Sequence, residues 1–137
     1  MNTIFARHVQ FQCPCGTGLP YTACCKRWHS GTTRCEAPDA EQLMRSRYSA
    51  FVLDDTAYLI DTWHPGTRPA TLEPNAPGLK WLGLKVRAHR VLSATEQVVE
   101  FVARRRLAGR GQRLHEISRF VREDGRWLYL DGTQLDT

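Results

Sequence analysis

Residues 96–132 read EQVVEFVARRRLAGRGQRLHEISRFVREDGRWLYLDG, and their pattern decides the fold. Val, Ile, Phe, Trp and Tyr recur with a period near two in EQVVEFVARRRL, QRLHEISRFVRE and GRWLYLDG, which suits half-buried strands rather than a helix. Turn chemistry separates the runs, AGRG at 108–111 and Asp124-Gly125, the second a strong two-residue hairpin signal. Upstream, WLGLKVRAHRVL (81–92) adds a fourth run ahead of the turn SAT at 93–95. Together these predict a four-stranded antiparallel meander.

Hairpin geometry then sets a register. A tight turn at Asp124-Gly125 puts Glu123 opposite Arg126, Val121 opposite Leu128 and Phe120 opposite Tyr129. An AGRG loop that pairs Leu107 with Gln112 puts Val102 opposite Ile117 and Glu100 opposite Arg119. One face then holds Val98, Val102, Ile117, Val121, Leu128 and Leu130, with Glu100 and Arg119 among them. The other holds Val99, Phe101, Phe120, Trp127 and Tyr129 beside Glu116, Ser118 and Asp131. Both faces are largely apolar. Helices cover one, and the second calls for a homodimer or a partner protein.

The helices lie before the strands. Asp39 is a suitable N-cap for AEQLMRSRYSAFV, with Glu41 in the first turn and Leu43, Met44, Tyr48, Phe51 and Val52 on an apolar face. Asp54 and Asp55 start a second helix bearing Tyr58, Leu59 and Trp63. Pro65, Gly66 and Pro69 end it, and 64–78, with four prolines, reads as a loop. Two helices followed by a meander give an α+β domain over 38–137, with the helices packed on one face of the sheet.

At 137 residues and 42% hydrophobic, the chain can bury a core without cross-links. MNTIFARHVQFQ lacks the apolar run of a signal peptide, and no stretch reaches the roughly 18 apolar residues of a membrane span. The expected compartment is cytoplasmic, where clustered cysteines more often bind metal or react than form disulfides. Net charge is +5 with a pI near 9.2. Residues 1–37 carry Arg7, Lys26, Arg27 and Arg34 against Glu36 alone, so the N-terminal module is the basic end.

That module contains CPCGTGLPYTACC (13–25), with four of the five cysteines. A C-x-C pair followed, after eight residues, by C-C offers two pairs of soft ligands, and Gly16 and Gly18 suit a tight turn around an ion. Cys13, Cys15, Cys24 and Cys25 are therefore expected to hold one Zn²⁺, although four thiolates also suit iron. Adjacent cysteines bind one ion only if the chain turns there or begins a helix. His29, or His8, is the alternative fourth ligand, and an exposed His29 without a role is the plainer expectation. Thiol redox chemistry at Cys24-Cys25 requires the site to be metal-free. Cys35 has no nearby partner and reads as a half-buried thiol.

The cysteine run resembles the SEC-C motif, C-x-C-G-S-G followed by a tyrosine and then C-C or C-H, with Thr17 at the usual serine and Tyr21 at the tyrosine. HSG (29–31), APDAEQLMRSRYSAFV (37–52), DTWHPGTRP (61–69), WLGL (81–84), EISRF (116–120) and WLYLDGT (127–133) resemble the YchJ-like family of small bacterial proteins. The likeness spans nearly the whole chain. It implies a zinc knuckle over 1–37 followed by an NTF2-like (cystatin-like) domain with a curved sheet, and it leaves the biochemical role open.

Fold alone assigns no reaction. Glu100 or Glu116 near Arg119 and His115 can make an acid–base site, although a structural ion pair fixing strand register is the commoner use of such residues. His64, at a helix end that the resemblance to the NTF2-like fold puts near the mouth of a cone-shaped domain, is accounted for by the helix dipole and is a weak catalytic candidate. Arg104, Arg105 and Arg106, with Arg110 and Arg113, make a cationic hairpin tip without interleaved aromatics, so nucleic-acid binding is only a weak expectation. The leading expectation is a cytosolic zinc-binding protein that docks on a protein or ribosomal partner. An enzyme or small-ligand binder using the NTF2-like cavity is the alternative.

Overall fold

The computed structural model describes residues 11–135, so His8 lies outside the described residues. A 3-10 turn (Tyr21–Ala23) and a short helix α1 (Lys26–His29) precede α2 (Ala40–Val52) and α3 (Thr56–Asp61). Strands β1 (Lys80–Val91), β2 (Glu96–Leu107), β3 (Arg110–Glu123) and β4 (Arg126–Leu135) follow as an antiparallel sheet in the order β1-β2-β3-β4. This is the α+β meander that the alternation predicts.

Both helix starts follow from capping. Asp39 Oδ1 accepts from the Gln42 N–H at 2.8 Å, and Asp55 Oδ1 accepts from the Tyr58 N–H at 3.1 Å. Each bond satisfies an N–H that the first turn leaves without a helical partner. The inner sheet face meets the helices through Val99, Phe101, Phe120 and Trp127, which are buried with Leu43, Tyr48, Tyr58 and Leu59. Full burial of one such apolar side chain contributes about 1.5–3 kcal/mol.

The β3–β4 hairpin has the predicted register, with Phe120 opposite Tyr129, Val121 opposite Leu128 and Glu123 opposite Arg126. The β2–β3 hairpin differs by two residues: Leu107 pairs with Arg110, Val102 with His115 and Glu100 with Ile117. Ala108 (φ 53°) and Gly109 (φ 77°) both occupy the left-handed region, so the turn closes with two residues rather than with all of AGRG. A two-residue shift preserves each side chain's face but changes every cross-strand partner. The expected Glu100–Arg119 pair is therefore replaced.

A second correction comes from β4. Arg119 faces Asp131 while Phe120 faces Tyr129, leaving Leu130 as an extra residue. This bulge carries Asp131 to the outer face, away from the Phe120 side where strict alternation puts it. Two further irregularities, between Trp81 and Gly83 and between Val86 and Ala88, interrupt β1. Bulges increase local twist and bend the sheet around its inner face.

The long loop is fixed chiefly by Asn75. Its N–H donates to Asp54 Oδ1 at 2.8 Å, its Nδ2 donates to Phe51 O at 2.6 Å, and its Oδ1 accepts from Trp81 Nε1 at 3.4 Å. The loop thereby becomes one wall of the cone. Among the described residues, no helix is long and apolar enough to cross a membrane.

Candidate functional site

Local backbone brings the four thiols together. Gly16 (φ 88°) and Gly18 (φ 85°) turn the chain after the C-x-C pair, and the Cys13 N–H returns to Leu19 O at 2.9 Å. Cys24 follows the 3-10 turn and Cys25 is the N-cap of α1, so the adjacent pair lies on a bend where both sulfurs can converge. One ligand atom from each of Cys13, Cys15, Cys24 and Cys25 lies within 4.8 Å of the others, and all four residues are buried. No disulfide joins them.

The donor set fits a tetrahedral ion. Zinc–sulfur bonds of about 2.3 Å put neighbouring sulfurs about 3.8 Å apart, and Cys15 Sγ lies 3.6 Å from Cys24 Sγ. Hydrogen bonds from the Cys15 and Cys25 thiols push the pKa of Cys13 down. The same contact with Cys13 pushes Cys15 up to about 11, and it raises Cys25 as well. Four thiolates at this separation repel one another and require a cation to coexist. The residues present can thus hold a metal ion, with thiolates as its only protein ligands.

The cluster is packed into the domain. Cys13 Sγ is 3.4 Å from Ser49 Oγ, and Arg45 Nη1 donates to Cys15 O at 2.9 Å, both contacts reaching α2. His29 completes the junction. Its Nε2 lies 2.7 Å from Ser46 O and its Nδ1 2.7 Å from Tyr21 OH. A carbonyl only accepts, so Nε2 carries a proton, and in the neutral ring that burial favours Nδ1 accepts from the tyrosine hydroxyl. Burial lowers the His29 pKa further. His29 is therefore neither the alternative metal ligand nor an exposed residue without a role, because both nitrogens are committed inside the protein.

A second site lies across α2, between that helix, the long loop and the inner sheet face. It is a cavity of about 570 Å³ lined by Tyr48, Phe51, Trp63, Trp81, Phe101 and Tyr129 among others. Arg47 is 5% exposed and also lines it. Arg47 Nη1 donates to Leu59 O at 2.8 Å and to Thr62 Oγ1 at 2.7 Å, while the guanidinium lies over the rings of Tyr129 (4.6 Å) and Trp63 (5.0 Å). Desolvation lowers its pKa to about 10, so it stays charged at neutral pH.

The five weak catalytic candidates do not converge. Glu116 alone lines this cavity, where its carboxylate accepts from Ser118 Oγ at 2.6 Å, Tyr129 OH at 3.3 Å and Gln134 Nε2 at 2.7 Å. On the opposite face, His115 Nε2 lies 2.7 Å from Glu100 Oε2. Arg119 forms a two-pronged, exposed pair with Asp131 at 2.7 and 2.6 Å. His64 Nε2 meets Glu123 Oε2 at 2.8 Å, and its Nδ1 accepts from the Gly66 N–H, so it fastens the loop to the end of β3. Arg105, from the cationic tip, lies over the Trp81 ring at 5.4 Å.

Sequence reasoning passed over Arg47. A signal was present: Met44, Arg47, Tyr48 and Phe51 fall at i, i+3, i+4 and i+7, so the helical period puts the arginine on the apolar stripe.

These features define an NTF2-like α+β domain whose N-terminal cysteine cluster packs against its first long helix. Residues 39–132 match the family model for the middle NTF2-like domain of YchJ. A UPF0225 protein of Bordetella pertussis is 61% identical over 120 residues, covering 88% of this chain and 90% of its own. Another, from Methylibium petroleiphilum, is 61% identical over 127 residues, covering 93% and 91%. The chain belongs to the YchJ-like, UPF0225 family. Among solved structures, the solution structure of a SEC-C motif containing protein from Rhodopseudomonas palustris is similar, with a TM-score of 0.76, 32% identity, and 92% of this chain and 100% of that one covered. The crystal structure of a SEC-C motif containing protein from Psychrobacter arcticus gives a TM-score of 0.75, 33% identity, and coverage of 95% and 86%.

Proposed function

We propose that the protein binds one structural zinc ion through Cys13, Cys15, Cys24 and Cys25, and that the closed module presents a basic, partly apolar surface to a protein or ribosomal partner in the cytoplasm. The carrying observation is the burial of four sulfurs within 4.8 Å of one another with no disulfide among them. Thiolate-only ligation leaves no coordination position for substrate, which is the pattern of a structural rather than a catalytic zinc. The likeness to SEC-C motif containing proteins supports the metal reading.

The surface around the closed site supports the interaction reading. Phe11 and Leu19 are exposed apolar residues at 48% and 47%, and Phe11 stacks on Tyr21 at 5.1 Å. Lys26 and Arg27 are exposed at the start of α1, where Arg27 shares a surface cleft with Leu19 and its guanidinium lies 4.6 Å from the Trp28 ring centre. Apolar anchors among cations suit an acidic surface bearing some apolar area.

Elemental mass spectrometry on protein purified without added metal is expected to give about one zinc per chain, with four thiols becoming reactive when a chelator removes it. Absence of metal, or metal bound with the four thiols still reactive, would overturn the reading. Co-sedimentation with ribosomes, compared between the native chain and a Lys26→Glu/Arg27→Glu variant that still holds zinc, tests the partner. Salt-sensitive binding lost in the variant supports a ribosomal surface, and equal binding by both rules out this face.

A further inference from the structure

The cavity has donors to spare. Arg47 spends one nitrogen, Nη1, on the carbonyl end of α3, and its Nε and Nη2 have no partner among the described residues. Among the described residues no carboxylate lies within ion-pair distance of it, although it is buried. Among the same residues Trp63 Nε1 is the buried side-chain atom left without a hydrogen-bond partner, and the Trp63 ring is one of the two under the Arg47 guanidinium. A buried donor of that kind costs stability unless an acceptor reaches it. That indole N–H and a guanidinium with two unengaged nitrogens, in one lining, mark the place for an acceptor that the described residues do not supply.

The rest of the lining defines the acceptor's scaffold. Six aromatic side chains surround a volume of about 570 Å³, within the range of small-molecule pockets. Aromatic walls favour a flat π-system through edge-to-face and offset contacts. Four charged groups face the space: Arg47, Arg105, Glu116 and Glu73. Arg105 is occupied by Gln112 and Trp81, Glu73 belongs to the exposed loop, and Glu116 has three donors of its own. The guanidinium of Arg47 is the buried charge left to be matched. Glu116 penalises a second negative charge on the ligand.

We propose that this cavity binds a planar aromatic monocarboxylate, whose carboxylate pairs with Arg47 and accepts from Trp63 Nε1 while its rings lie against the aromatic walls. Arg47 supplies a charge-assisted, two-donor contact, and Trp63 fixes the second oxygen. The site is independent of the metal centre on the other flank of α2.

Titration calorimetry on the metal-loaded full chain uses 2-naphthoate, its uncharged amide 2-naphthamide, and 2,6-naphthalenedicarboxylate, with tryptophan fluorescence as the second readout. The expected result is saturable binding of 2-naphthoate below about 1 mM, with the amide and the dicarboxylate each weaker by about tenfold. Arg47→Met is expected to remove the preference for naphthoate over the amide. Trp63→Phe, which keeps the ring and loses the N–H, is expected to weaken naphthoate about threefold and leave the amide within twofold. No saturable binding of naphthoate at 1 mM, or equal binding of acid and amide by the native chain, overturns the proposal. Should Arg47→Met fail to fold, the acid-to-amide ratio in the native chain and in Trp63→Phe decides the question.

Discussion

Helix α2 has two flanks, and they handle buried polar groups in opposite ways. Toward the cysteine module it presents Arg45, Ser46 and Ser49, which meet Cys15 O, His29 Nε2 through the Ser46 carbonyl, and Cys13 Sγ. Toward the cone it presents Met44, Arg47, Tyr48 and Phe51. On the first flank the hydrogen bonds are satisfied and what is missing is positive charge, four sulfurs being packed together. On the second flank a positive charge is present and acceptors are missing. The flanks therefore call for different guests: a cation that completes the fold, and an anion that visits a cavity already formed.

Removing the metal tests the first half of this contrast and carries the largest expected effect. Chelation, or Cys25→Ser, is expected to lower the melting temperature by about 10 °C or more, since binding energy at a structural zinc site is folding energy. Retention of the native melt after confirmed metal loss would mean that the module is held by packing alone.

Next is His29→Ala, which deletes both bonds of a buried ring that also packs edge-on against Tyr58 at 4.7 Å. Denaturant melts are expected to show a loss of about 2–4 kcal/mol. A loss below 1 kcal/mol would show that α2 does not depend on this junction. The ring also gives a pH signature. Its folded pKa is lowered below 6.5, chiefly by desolvation, so its contribution is complete above about pH 6.5 and declines as pH falls from there through the folded value. Histidine NMR titration is expected to place its midpoint below 6.5, and a midpoint at or above that value would contradict a buried neutral ring.

Asp39→Ala removes the cap of α2, which serves both flanks equally. It is expected to cost about 1 kcal/mol in the same melts while leaving metal content unchanged. Loss of metal in this variant would show that the helix start, and not the thiol cage alone, sets the site. The smallest effect is expected from Arg119→Gln. Its partner Asp131 is held below the usual carboxylate range by that arginine, yet the pair stands in solvent, and no change in melting temperature is expected. A clear drop would identify the outer sheet face as a covered surface.

Much of this was legible in local sequence. The period of two, the Asp124-Gly125 turn, the caps at Asp39 and Asp55 and the C-x-C…C-C spacing act over a few residues, and each has one dominant physical outcome. The β2–β3 register was less legible, because AGRG admits a two-residue or a four-residue closure. Only the assembled sheet favours the first, and with it Glu100 moves from Arg119 to His115. Asp131 changed face because a single bulge at Leu130 interrupts the alternation.

Helix α2 shows where reading along the chain stops. Eight of its thirteen residues are buried, Ser46, Arg47 and Ser49 among them, so its pattern is not that of a helix with one wet side. Periodicity identifies residues that avoid water but not polar ones covered by a distant segment, here a module some 17 to 36 residues away along the chain. The sequence by itself determined the strands, the helix starts and the four-thiol cluster, because propensity, capping and ligand spacing are local. Tertiary structure alone decided that His29 is buried and neutral and that Arg47 lines a cavity in which, among the described residues, no carboxylate reaches ion-pair distance of it. Both depend on which groups are excluded from water together, a property of the packed chain and not of any one stretch of it.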